Sequence, residues 1–163
     1  MKYIITENQY KLLTEQEDIL RIPLAAFDNN WNDLQLFLER RGNPPYEITD
    51  DLDLYKSNIK SLGNLTSVGG SLDLYGSKIE SLGNLTSVGG YLDLYKSNIK
   101  SLGNLTSVGG NLNLEDSNVE SLVNLTSVGG YLDLRDTPLS KKYTKEKIRK
   151  IVKVGNNIIY NTI

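Results

Sequence analysis

YLDLYKSNIKSLGNLTSVGG, residues 91–110, is the stretch on which the reading of this chain turns. The pattern occurs four times at a period of 20 between Asp51 and Gly130, and a fifth copy runs from Tyr131 to Pro138. The copies that begin at Asp51 and Tyr91 differ only in their first residue. Self-similarity at a fixed period of this length is the mark of a solenoid, in which each coil contacts only its neighbours. In each copy L-x-L alternates at period two, as in Leu52 and Leu54 or Leu92 and Leu94. That spacing predicts a strand of about five residues with its leucines turned inward. Ile59, Leu62, Leu65 and Val68 then carry the core around the rest of the coil. A single coil loses more in chain order than its few apolar side chains return, so stacking is obligatory. One short strand per 20-residue coil, in a parallel β-sheet, is the expected architecture. Gly69-Gly70 and its equivalents precede each strand, where a sharp turn is expected to need positive φ. The glycine at 63, 83 and 103 gives way to Val123, so that position is expected not to demand glycine.

The element L-x-L-x-x-S-x-I-x-x-L, here LDLYKSNIKSL, resembles the leucine-rich-repeat core. Ser57, Ser77, Ser97, Ser117 and Thr137 fill the position that usually holds asparagine, and their hydroxyls suit bonds to the turn backbone. The leucine expected three residues before L-x-L falls on glycine, with Val68 and its equivalents one place earlier. A period of 20 matches the shortest bacterial-type repeats. RGNPPYEI followed by D-LDL and near-identical copies resembles small repeat proteins of tailed phages and environmental bacteria. The resemblance covers residues 51–138 and implies a leucine-rich-repeat solenoid that serves as a non-enzymatic interaction scaffold. It supplies no partner.

Solenoid ends need atypical repeats that cover the exposed core. Residues 1–50 are expected to form a helical N-terminal cap. Thr6 to Gln9 fits a capping box with a helix through about Leu13, and Thr14 to Glu17 repeats the signal, opening a second helix around Ile19 and Leu20. The clearest helix runs from Trp31 to Arg41, capped by Asn30, with Trp31, Leu34, Phe37 and Leu38 as its apolar stripe and Gly42 as its stop. Trp31 and Phe37 have a competing use as a partner site. Residues 139–163 are expected to form a helix-plus-strand C-terminal cap. Pro138 breaks the fifth copy, Thr144 caps a helix from Lys145 to about Lys153, Gly155 to Asn157 turn, and Ile158 to Tyr160 form a strand. The three segments make one continuous domain.

Composition narrows the function. The 163 residues carry 18 basic and 20 acidic side chains, with no histidine and no cysteine. Disulfides, thiolate chemistry and the commonest general base and metal ligand are therefore missing. With no catalytic signature and no Gly-rich phosphate loop, an enzyme is not expected, nor a cofactor or small-molecule substrate. The N-terminus lacks a signal-peptide apolar core and no apolar run reaches membrane-spanning length, so a cytoplasmic protein is expected, or a virion component if it is of phage origin. Charge is uneven: residues 1–50 hold 5 basic and 9 acidic side chains, residues 139–163 hold 7 and 1.

The strand residues that flank the leucines should form outward columns. Asp53, Asp73, Asp93, Asn113 and Asp133 make the middle one; Tyr55, Tyr75 and Tyr95 stand beside it, with Tyr91 and Tyr131 on the other side. Tyrosine gives large contact area at little entropic cost. This acidic, tyrosine-rich face is therefore the expected protein-binding site, against the alternative that the carboxylates are merely solvated. Lys60, Glu80, Lys100 and Glu120 form a second column of alternating sign, which disfavours a slip by one coil. The Asn-Leu-Thr triplets match a glycosylation acceptor and are expected to be a by-product of the repeat. Lys141, Lys142, Lys145, Lys147, Arg149 and Lys150 make a basic tail, a candidate anion or self-association patch. The acidic beginning and basic end suit head-to-tail contact between copies, giving rings or filaments. Nucleic acid is not the expected partner of this patch.

Overall fold

The computed structural model describes residues 19–161. The chain forms a parallel β-solenoid of about 20 residues per coil. Before the repeats come β1 (Leu20–Ile22), a 3-10 turn (Leu24–Phe27), α1 (Trp31–Glu39) and β2 (Tyr46–Ile48). The repeats supply β3 (Leu52–Asp53), β4 (Leu65–Val68), β5 (Leu72–Asp73), β6 (Ser87–Val88), β7 (Leu92–Asp93), β8 (Ser107–Val108), β9 (Leu112–Asn113), β10 (Ser127–Val128) and β11 (Leu132–Asp133). The chain closes with α2 (Pro138–Lys142), α3 (Lys145–Arg149), β12 (Lys153–Val154) and β13 (Ile158–Ile159).

Each coil places its expected strand at L-x-L, and these stack in the order β13-β11-β9-β7-β5-β3. Leu52 pairs with Leu72, Leu72 with Leu92, Leu92 with Leu112 and Leu112 with Leu132, so the register advances by one period without slipping. Each coil also carries a second short strand around Ser-Val, and these form another parallel sheet, β1-β2-β4-β6-β8-β10-β12. The second sheet exists because the backbone bonds between coils continue past L-x-L: Thr86 N–H donates to Thr66 O at 2.8 Å and Gly89 N–H to Val68 O at 2.8 Å.

The apolar side chains fill the space between the two sheets. Leu52, Leu72, Leu92 and Leu112, with Val68 and its equivalents, are buried in one cluster that runs the length of the molecule. Leu34, Leu38, Tyr46 and Ile48 extend it at one end, and Leu139, Ile148, Val152 and Ile158 at the other. The caps are thus continuous with the core, and each also adds strands to the sheets.

Several local expectations change. The readings over Thr6 to Leu13 and Thr14 to Glu17 lie outside the described residues. Ile19 and Leu20 do not open a helix: Leu20 begins β1, which pairs with β2 through Leu20–Tyr46 and Ile22–Ile48. The LRI alternation buries Leu20 and Ile22 on one side, a sheet pattern that a helical neighbour would waste. Asn30 caps α1 as expected, its Oδ1 accepting from the Asn32 and Asp33 N–H groups. The helix ends at Glu39 before Gly42, φ 77°, and Asn43, φ 52°. Leu34 and Leu38 are buried; Trp31 and Phe37 are partly buried against the core, with the Phe37 ring 5.1 Å from Phe27. Pro138 does not simply end the fifth copy but starts α2 behind the Thr137 cap, as an N-terminal proline can. Thr144 caps α3 through Lys147 N–H, and that helix stops at Arg149 because Lys153 and Val154 are taken into β12, alongside Ser127 and Val128.

The paired glycines are needed for a different reason than expected. None of Gly69, Gly70, Gly89, Gly90, Gly109 or Gly110 has positive φ. Instead Gly89 packs directly on the Gly69 carbonyl, and Gly109 on that of Gly89, where a Cβ would sit far inside van der Waals contact. Gly63, Gly83 and Gly103 are the ones with positive φ, 58–59°, whereas Val123 at the equivalent place is outside that region. The fourth copy turns by another backbone path, which is how valine is accommodated.

Candidate functional site

The outward side of the L-x-L sheet is the surface on which the sequence concentrates its aromatic and acidic groups. The carboxylates in it are occupied. Asp53, Asp73 and Asp93 Oδ1 accept from the backbone N–H two residues on, at 2.9, 2.9 and 2.8 Å, and Asn113 and Asp133 repeat the bond at 3.1 Å each. Each is an Asx turn, the interaction for which Asp and Asn are favoured over longer acids. It bends the chain into the next residue but one after the tyrosine column, where Lys56, Gly76, Lys96, Asp116 and Asp136 all take φ between 50° and 61°. The repeated choice of Asp or Asn, never Glu, was the signal in the sequence for this role.

Burial differs along the column. Asp53 is exposed, whereas Asp93 and Asp133 are each 8% exposed. Tyr91 donates its hydroxyl to Asp93 Oδ2 at 2.6 Å, closing that carboxylate off. Burial, and then this bond to a carboxylate, hold the Tyr91 hydroxyl well above the usual tyrosine range. Asp133 is covered by Arg135, whose guanidinium donates to Asp133 Oδ2 at 2.6 Å and to Glu115 Oε2 at 2.7 Å. The hydrogen bond to Asp133 pushes the Arg135 pKa up, so the pair is ionised at any ordinary pH. Asp73 lies between these extremes. Desolvation raises its pKa despite the Tyr75 N–H bond, and neighbouring Asp93 and Asp53 add repulsion.

The third column becomes a ladder of rings. Tyr55 and Tyr75 have centroids 5.1 Å apart, Tyr75 and Tyr95 4.8 Å. This spacing is the coil rise itself, inside the range in which tilted aromatic pairs attract. Lys56 Nζ lies 4.9 Å from the Tyr55 ring centre and Lys96 Nζ 5.0 Å from that of Tyr95. Tyr55 remains 49% exposed and Tyr131 46%. The face thus brings together the tyrosines singled out in the sequence, while the aspartates serve chiefly as their supports.

Three other features fall elsewhere. Thr66, Thr86, Thr106 and Thr126 Oγ1 each donate to a carbonyl of the preceding coil at 2.9 Å, and Asn84 Nδ2 donates to Asn64 Oδ1 at 3.0 Å. Asn-Leu-Thr is therefore a coil-stacking device. Lys60 and Glu80 form an ion pair across one period. The basic tail lies on and after α2 and α3: Lys142 and Lys147 sit 5.2 and 4.8 Å from the Tyr143 ring, and Lys145 5.5 Å from Tyr160. Lys141 and Lys150 are exposed, and Arg149 donates to Asn157 Oδ1 at 3.2 Å. No described helix is long and apolar enough to cross a membrane.

No known protein family, curated protein or solved structure matches this chain. Its chemistry has to be read from its own surface.

Proposed function

We propose that this chain is a non-enzymatic repeat scaffold that binds a protein partner through the tyrosine-bearing face of the L-x-L sheet, in a leucine-rich-repeat manner. The observation that carries the reading is the ladder Tyr55–Tyr75–Tyr95, three rings held at 4.8–5.1 Å on a rigid parallel sheet. Preorganised aromatic side chains bind without first giving up rotamer freedom. The face is small. Strands spaced ~4.8 Å apart and spanning about five residues give roughly 400 Å², half of the ~800 Å² per partner in a standard interface. The contact is accordingly weak and transient, or extended by a cap.

The test compares wild type with Tyr55→Ala/Tyr75→Ala/Tyr95→Ala and with Asp73→Asn/Asp93→Asn in quantitative affinity capture. The tyrosine variant loses a specific partner, and the asparagine variant, whose turns Asn113 shows to be compatible with the fold, loses less. Identical captured sets from all three proteins would overturn the reading. A second reading, head-to-tail self-assembly, is favoured by the placement of the basic α2–α3 surface at the end of the sheets opposite the acidic N-terminal segment. Light scattering from low to high salt separates it: assemblies that dissolve as salt rises support it, and a monomer throughout rejects it.

A further inference from the structure

Outside the repeat face, α1 and the first coils enclose a pocket of about 250 Å³, lined by Gln35, Leu38, Asn43, Pro44, Tyr46 and Asn64. Tyr46 is only 2% exposed. Its hydroxyl oxygen accepts from Gln35 Nε2 at 3.1 Å. That bond spends one N–H of the glutamine and one lone pair of the phenol. Among the described residues the Tyr46 O–H proton is left without an acceptor and Gln35 Oε1 without a donor. A buried polar group in that condition is costly, and such groups are normally satisfied. Burial also raises the Tyr46 pKa to about 12, so the hydroxyl keeps its proton at any physiological pH.

One donor and one acceptor, adjacent and unspent, match the C=O and N–H of a carboxamide. Leu38 and Pro44 supply an apolar wall for the attached carbon, and no ionisable group other than the phenol lines the pocket. The volume falls below that of a drug-sized site and suits a single side chain. We propose that this pocket binds a primary carboxamide, the end group of asparagine and glutamine. Its carbonyl accepts from Tyr46 Oη–H and its N–H donates to Gln35 Oε1. The inference stands apart from the tyrosine face, which it neither uses nor requires.

The experiment is a proton–nitrogen NMR titration of the full chain with propionamide, with propionate as the charged isostere. Propionamide is expected to give saturable shifts at Gly63, Asn64 and the Gln35 side-chain amide. Propionate binds at least about tenfold more weakly, the contribution of one ordinary hydrogen bond. Tyr46→Phe and Gln35→Met each weaken propionamide by a similar factor while retaining the wild-type spectrum elsewhere. An N-methylamide-capped Ala-Gln-Ala peptide set against propionamide then distinguishes the two sources of the group: tighter binding of the peptide assigns the site to a polypeptide side chain, equal binding to a small free amide. Absence of saturable shifts, equal affinity for propionate, or full affinity in Tyr46→Phe would each overturn the proposal.

Discussion

Replacing Ser77 by alanine is expected to stabilise the protein, although Ser77 is among its most buried polar residues. Ser77 and Ser97 are each 2% exposed, and their hydroxyls have no hydrogen-bond partner, nor does that of Ser57. Ser117 and Thr137 occupy the same place in later coils and do find one: Ser117 Oγ donates to Leu114 O at 2.6 Å and Thr137 Oγ1 to Leu134 O at 2.7 Å. The backbone is the same in these coils, with Ser77 N–H on Leu74 O and Ser117 N–H on Leu114 O at 3.1 Å each. Side-chain rotation is therefore the whole difference. Burying a hydroxyl unpaired costs about 1–3 kcal/mol, and Ser→Ala removes that cost while deleting one small atom. Ser77→Ala should gain roughly 0.5–2 kcal/mol, and Ser117→Ala should lose about 1 kcal/mol with its bond. At this chain length each kcal/mol moves the melting midpoint by about 2–4 °C. Urea unfolding followed by circular dichroism measures both variants on one scale. Equal destabilisation by the two substitutions would refute the reasoning, since it would mean that the Ser77 hydroxyl is paired like that of Ser117.

The glycine column makes a sharper prediction: Gly109→Ala forces a methyl group into the Gly89 carbonyl and should cost more than about 3 kcal/mol. Gly42→Ala, at φ 77° with open space around it, should cost only about 1 kcal/mol; thermal melts compare them. Asp73 has a folded pKa above its unfolded one, so its contribution to stability is present at acid pH and lost as pH rises through the carboxylate range. Asp73→Asn, which keeps the turn, should stabilise at pH 7 and do little at pH 3, by denaturant midpoints at the two pH values. Tyr46 follows the same sign at the alkaline end: with its pKa raised to about 12, it favours the fold below pH ~10 and ceases to do so as pH approaches 12, so Tyr46→Phe should flatten the alkaline loss of stability.

The twenty-residue period and the L-x-L alternation were sufficient to derive the solenoid, its parallel sheet and its core, because coils that repeat side chains at fixed places bury them only by stacking in register. The cap helix at Trp31–Glu39 was equally legible, since its signals, an Asn30 cap and a stripe at helical spacing, act within a few residues. Of the site, the tyrosine and aspartate columns could be named from their positions.

What each column does was decided by atoms a full period apart. The Ser-Val sheet, the threonine bonds, the glycine packed on its neighbour's carbonyl and the ring ladder are all contacts between residue i and residue i+20. An alternation of apolar and polar residues tells which side of the coil a side chain occupies. It is silent on which backbone group lies opposite, and that depends on the rise and twist set by the stacked coils together. For the same reason the Gln35–Tyr46 pocket is invisible in the sequence: a helix in the cap and a strand in the sheet meet there only after both have docked on the common core.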